Sequence, residues 1–188
     1  MKFMISIQKS IYGGNIMIKI LGVIFIIAAS SMMGFMFAEA LRKRLLQLKE
    51  LRGALVQLQN EIFYTRTDLP EACAKVAQKS KYPINEIFEK VSEQLEKNST
   101  DSVYEAFKQA LNLNESKLSL TKEDKEVLTD LSKALGDSDM EGHKKVFSLA
   151  EYNIKSKIEA LEGNVDKNIK MYRYLGFSLG AAIAIILI

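Results

Sequence analysis

Apolar residues form two uninterrupted runs near the two ends of the chain, with a periodic scatter between them. The first run, residues 20–38, carries no charge and is long enough to cross about 30 Å of hydrocarbon at about 1.5 Å per residue. The second, residues 174–188, is shorter, but Tyr172, Arg173 and Tyr174 beside it can stand at a lipid interface and lengthen the span. After the first run, Leu41, Leu45, Leu48, Leu55, Leu58 and Ile62 recur at three- and four-residue steps, with a gap around Arg52. That pattern predicts a helix continuing for about six or seven turns, ended by a turn at Thr65–Asp68.

Local signals divide the remainder into short helices. Pro70 suits the first turn of a second helix, with Asp68 as its capping candidate and Lys79 near its end. Pro83 opens a third over residues 84–97, and Asn98-Ser99-Thr100-Asp101 breaks it and caps a fourth over residues 102–111. Residues 112–119 read as a polar loop. Thr121-Lys122-Glu123-Asp124 starts a fifth helix in capping-box style, with Asp in place of Glu, and Leu135-Gly136 marks its stop. The last helix starts near Met140 and sets Phe147, Ile154, Ile158, Leu161, Val165, Ile169 and Tyr172 on one stripe. No strand-like alternation appears.

The expected fold is therefore all-α: an antiparallel bundle of about six helices over residues 41–173, flanked by transmembrane helices at 18–40 and 174–188. The first run could be a signal sequence behind Lys19, but its length and the following Arg42-Lys43-Arg44 favour a retained helix. The excess of basic residues after it places the bundle in the cytosol and both termini outside. Ser30, Gly34 and Ala38 in the first run, and Gly176, Gly180 and Ala184 in the second, form four-residue stripes of small side chains. Such stripes let membrane helices approach closely. Residues 1–16 lack clear periodicity, and Gly13-Gly14-Asn15-Ile16-Met17 reads like a translated ribosome-binding site before a start codon. Met17 is the expected first residue.

Composition narrows the function classes. The 188 residues are 48% hydrophobic and 26% charged, too apolar for disorder. Residues 42–173 hold 23 basic and 22 acidic side chains, so no basic field invites nucleic acid. The single cysteine, Cys73, excludes an intrachain disulfide and reads as a small core residue. No glycine lies in a phosphate-loop context, and the lone His143, read as a surface or rim residue, supports neither a two-histidine metal site nor a serine triad. No catalytic, cofactor or metal residues are assigned. Asp137-Ser138-Asp139-Met140-Glu141-Gly142 resembles the opening of a calcium loop, but Ser148 stands where a bidentate Glu is required. Glu86, Glu89, Glu93 and Glu96 share one helical face, a candidate docking stripe. The Glu86–Lys90 and Glu93–Lys97 spacings equally describe a solvated helix. Arg42, Lys43, Arg44, Lys49 and Arg173 are candidates for the membrane surface, with anionic lipid as partner.

From Met17 onward the chain resembles the stage III sporulation protein AB family. The likeness is carried by Ile18-Lys19-Ile20-Leu21-Gly22 and by Leu51-Arg52, Leu55, Leu58, Glu61-Ile62 and Tyr64. Leu69-Pro70, Ala72, Leu135-Gly136, Asp139 and the closing Tyr174-Leu175-Gly176, Gly180 and Ile186-Leu187-Ile188 continue it. His143 departs from it, standing near an expected glutamine. The resemblance implies a component of a channel-like assembly in the mother-cell membrane around a developing spore. It also implies a cytosolic domain like the helical repeat of the type II secretion platform protein F, matched here by residues 52–111. Its implied partners are a stage III AA-type cytosolic ATPase and other membrane components of the stage III channel. Arg52 and Glu61 join the four glutamates as docking candidates, and self-association is left open. The alternative reading is a membrane-tethered helical sensor or signalling module, which would ordinarily expose its ligand-binding part outside. N-terminal sequencing of the protein purified from cells is expected to begin at Met17; recovery of Met1 or Phe3 would refute that start.

Overall fold

The computed structural model describes residues 2–137 and 140–187, and the described backbone is helical, with no strand. Six α-helices follow in order: α1 Lys2–Phe63, α2 Leu69–Lys79, α3 Ile84–Glu96, α4 Val103–Leu113, α5 Lys122–Asp137 and α6 Met140–Leu187. A short 3₁₀ turn, Glu115–Lys117, interrupts the expected polar loop. The chain divides into two compact units: residues 1–42 with 165–188, and residues 43–164. The second unit ends before the expected bundle limit of 173.

In the second unit every helix buries one stripe. On α1, Leu48, Leu51, Leu55 and Leu58 are each at most 1% exposed. Leu51 thus fills the gap that the leucine spacing had left at Arg52. Ile84, Ile87, Phe88 and Val91 on α3 and Phe147, Ala150, Ile154 and Ile158 on α6 repeat at three and four residues, the period of a helix face. Successive short helices pack α2 on α3, α3 on α4 and α4 on α5. Phe88 of α3 meets Phe107 of α4 edge to face at 5.9 Å. Phe63 of α1 meets Phe147 of α6 at 5.6 Å, and Lys49 of α1 bonds Glu162 of α6 at 2.5 Å. Rising numbers on α1 pair with falling numbers on α6, so the two run antiparallel here.

The helix ends follow the predicted signals with local adjustments, α3 closing at Glu96 and α4 running on to Leu113. Ser102 is the cap of α4, outside the helix, and its hydroxyl accepts a bond from the Glu105 N–H at 3.2 Å. Asp68 occupies the cap position of α2 without bonding the backbone, while Pro70 lies in the first turn as expected. Asn98 takes the left-handed conformation, φ 46°, where α3 ends, and the Ser99 N–H returns to the Gln94 carbonyl at 3.0 Å. Gly136 does not stop α5, which runs on to Asp137. Helix backbone also extends through residues 2–16, where no periodicity announced it.

Among the described residues, one helix segment, Ile24–Phe63, is long and apolar enough to cross a membrane. Its first half leaves Ile24, Phe25, Met32, Met33, Met36 and Phe37 exposed. Burial separates two leucines five positions apart on α1. Leu51→Ala, at a site 0% exposed, is expected to cost about 3 kcal/mol in denaturant unfolding of the detergent-solubilised chain. Leu46→Ala, at 57% exposure, is expected to change it by less than about 0.5 kcal/mol.

Candidate interaction sites

The strongest polar constellation in the second unit lies on the apolar stripes themselves. Asp124 enters α5 one turn before Val127 and Leu128, so the helix carries its carboxylate into the core, where it is 0% exposed. A buried carboxylate needs partners, and four bonds supply them. Arg44 of α1 reaches it with two nitrogens, at 2.7 and 3.0 Å. Lys157 of α6 stands 3.3 Å away, and the Thr121 N–H donates at 3.0 Å. The last bond is the expected capping-box return, so one carboxylate both caps α5 and joins it to α1 and α6. Burial alone would raise the Asp124 pKa, but the Arg44 bonds, the Thr121 N–H and Lys157 outweigh it and hold the carboxyl below its ordinary 3.8. The same bond raises the pKa of Arg44. Arg44 is therefore committed inside the bundle, not free for lipid.

A second buried group completes the joint. Gln47, 8% exposed, donates to the Lys117 carbonyl at 3.2 Å and accepts from the Ser119 N–H at 2.7 Å, tying the 3₁₀ segment to α1. The cap of α5 by Asp124 was read from the sequence, but neither its bonds to α1 and α6 nor the role of Gln47 was. The usable signal was a polar residue on an apolar stripe: Asp124 before Val127, Gln47 beside Leu48, and Lys157 beside Ile158.

The docking candidates fall into separate environments. Arg52 bonds Glu151 of α6 at 3.2 Å, and its Nε is buried without a partner among the described residues. Glu61 pairs with Lys75 at 3.4 Å and accepts from the Thr67 hydroxyl. On α3, Glu86 bonds Lys117 rather than Lys90, and Glu93 bonds Lys90 at 2.8 Å, so neither expected i,i+4 pair forms the ion contact. Glu89 and Glu96 are exposed and without an ion pair among the described residues. With Glu93 they line a cleft of about 500 Å³ between α2 and α3. Arg42 and Lys43 are exposed, also without an ion pair, and Lys49 is held by Glu162. The Arg173 and Ala184 side chains lie outside the described residues, as do Ser138 and Asp139 of the calcium-like segment.

In the unit of residues 1–42 and 165–188, the predicted small residues meet. A Cβ built on Gly34 would stand 2.5 Å from the Tyr172 carbonyl oxygen, and one on Gly176 would stand 2.7 Å from the Ser30 carbonyl. A Cβ on Gly180 would strike the Ser30 hydroxyl. Ala38 is 2% exposed, and Phe37 stacks on Tyr172 at 6.2 Å. The two helices touch backbone to backbone, again antiparallel, a contact that side chains at these glycines would prevent.

Cys73 is fully buried, and burial pushes its thiol up to about 12, which removes the thiolate at neutral pH. His143 is half-buried, as the rim alternative of its reading has it, and both ring nitrogens are shielded without a partner among the described residues.

The stage III sporulation protein AB family model matches residues 19–188. Stage III sporulation protein AB of Bacillus subtilis (strain 168) is 34% identical over 171 residues, covering 91% of this chain and 99% of that protein. A solved structure of a stage III sporulation protein AB superposes with a TM-score of 0.61 at 32% identity, over 65% of this chain and 96% of that one.

Two substitutions test the joints. Asp124→Asn leaves Arg44 and Lys157 facing an uncharged group and is expected to destabilise the folded chain by about 3 kcal/mol. Because the folded pKa is depressed, the wild-type contribution is complete above about pH 4 and lost as pH falls through the lower folded value. The acid limb of a stability–pH curve is therefore expected to flatten in the variant; an unchanged limb would refute the assignment. Gly34→Leu is expected to reduce severalfold the crosslinking of a Phe37→Cys/Tyr172→Cys pair in the same chain, and an unaffected yield would show that close approach is not needed.

Proposed function

This chain belongs to the stage III sporulation protein AB family, and from that membership we propose that it is a non-enzymatic membrane platform of the stage III sporulation assembly. On this reading the unit of residues 1–42 and 165–188 spans the mother-cell membrane twice, and the bundle stands in the cytosol. There it couples a secretion-type cytosolic ATPase to membrane partners. The observation that carries the reading is the pair α1 and α6, each contributing to both units: a close glycine seam in one and a polar-locked bundle in the other. Exposed apolar side chains around the glycine seam suit lipid, and Glu89 and Glu96 beside the α2–α3 cleft, without an ion pair among the described residues, suit a basic surface on the ATPase.

Two measurements test it. A cysteine placed at Ser116, exposed on the 3₁₀ turn, is expected to react with an impermeant maleimide only after cells are permeabilised; the native Cys73 stays silent. Labelling in intact cells would overturn the cytosolic placement. The full-length protein in detergent is expected to co-purify with the stage III ATPase. A Glu89→Lys/Glu96→Lys double reversal is expected to weaken capture at least about tenfold, most steeply at low salt. Equal capture by both proteins would remove this face from the proposal, and no capture by either would remove the ATPase coupling.

A further inference from the structure

Besides the α2–α3 cleft, the described residues of the bundle leave open a groove and a helix face on other sides. The groove, about 380 Å³, runs between α5 and α6. Its floor holds Val127, Leu131 and Val146, and Leu149 stands 58% exposed beside it. Three acids, Glu123, Glu126 and Asp130, line it against one cation, Lys157, which is already bonded to Asp124; Glu123 and Glu126 form no ion pair among the described residues, though Glu123 lies within the field of Lys157. The face is the outer side of α1, where Leu46 is 57% exposed and Lys43 has no ion pair among the described residues. Gly53 lies on the same side with no atom within 4 Å of where its Cβ would be. Glycine inside a helix is less favourable than alanine, and no packing contact at Gly53 within this copy calls for it.

We propose that copies of this chain associate head to tail, the outer face of α1 from one copy entering the α5–α6 groove of the next. The charges match, Lys43 against Glu123 and Glu126, and each surface brings one exposed leucine. Levels match as well. Arg44 bonds Asp124 within one bundle, so Lys43 and Glu123 stand at one height along it. Neighbouring bundles lying side by side in register bring these levels together, and insertion in one membrane, on which this inference rests through the reading above, gives identical copies one common orientation. At 100° per residue, Leu46 and Gly53 lie about 20° apart and roughly opposite Arg44. The two surfaces therefore face opposite ways across the bundle. A contact between opposite faces is heterologous and closes into a ring or extends as a row.

The test uses full-length chains with two tags, co-expressed in cells. One carries Leu46→Cys and the other Leu149→Cys, and membranes are treated with a short bismaleimide. The expected product carries both tags, and neither variant crosslinks efficiently with its own kind. Lys43→Glu in the first chain is expected to cut the mixed product about tenfold, and Glu123→Lys/Glu126→Lys in the second to restore most of it. Carbonate extraction of the same membranes reads the anchoring separately. Chains retained in membranes without mixed product, or with a yield indifferent to Lys43→Glu, overturn the association alone. Chains released by carbonate overturn the membrane reading and this inference with it.

Discussion

One buried carboxylate holds three helices of the bundle in place. Asp124 has no contact with water, so its charge survives only where cations reach it, and those cations come from α1 and α6. Removing the Arg44 fork would leave the buried carboxylate to Lys157 and one backbone N–H, and breaking such a pair costs more than the pair itself stabilises. The arrangement thus acts as a register pin. A shift of α5 by one residue along α1 would pull the carboxylate from the Arg44 fork, whereas leucine against leucine could slide with little penalty. Gln47 extends the same logic to the chain entering α5, because its amide satisfies two backbone groups that cannot reach a helix partner.

Much of the architecture was legible because it depends on neighbours in sequence. Pro70, Pro83 and Asn98 mark breaks through backbone sterics, and the leucine spacing on α1 marks a helix that needs a covered face. The stripes Ser30–Gly34 and Gly176–Gly180 were readable for the same reason, and the structure brings them together. Legibility failed where a local signal met a longer-range one. Gly136 is a good terminator only if nothing beyond it favours helix, and Leu51 belongs to the stripe that the spacing had interrupted at Arg52. Charge partners were least readable. Glu86 had a lysine four residues on and chose Lys117, 31 positions away. Arg44 looked like a lipid ligand until the fold brought Asp124 from 80 positions away. Long side chains choose among many partners of similar energy, and tertiary packing decides.

Family membership and the two compact units address different halves of the functional question. Membership says which process the chain serves. The units say what kind of part it is: one unit joined by bare backbone contact, the other by apolar stripes and a few committed ion pairs. The acidic cleft on α3, the α5–α6 groove and the outer face of α1 are different surfaces, so an ATPase and a second copy need not compete for one face.

The glycine seam has a consequence for how the protein can be handled. Its contacts are backbone to backbone, glycines set close to carbonyl oxygens and to one another, and they owe little to the exclusion of water. The bundle owes most of its cohesion to that exclusion. With the seam in lipid, as proposed, the two units respond to different solvents. Urea attacks the bundle while sparing the helix pair; a harsh detergent competes for the pair while leaving the pinned bundle folded. Purification chemistry can therefore take the molecule apart one unit at a time, in either order.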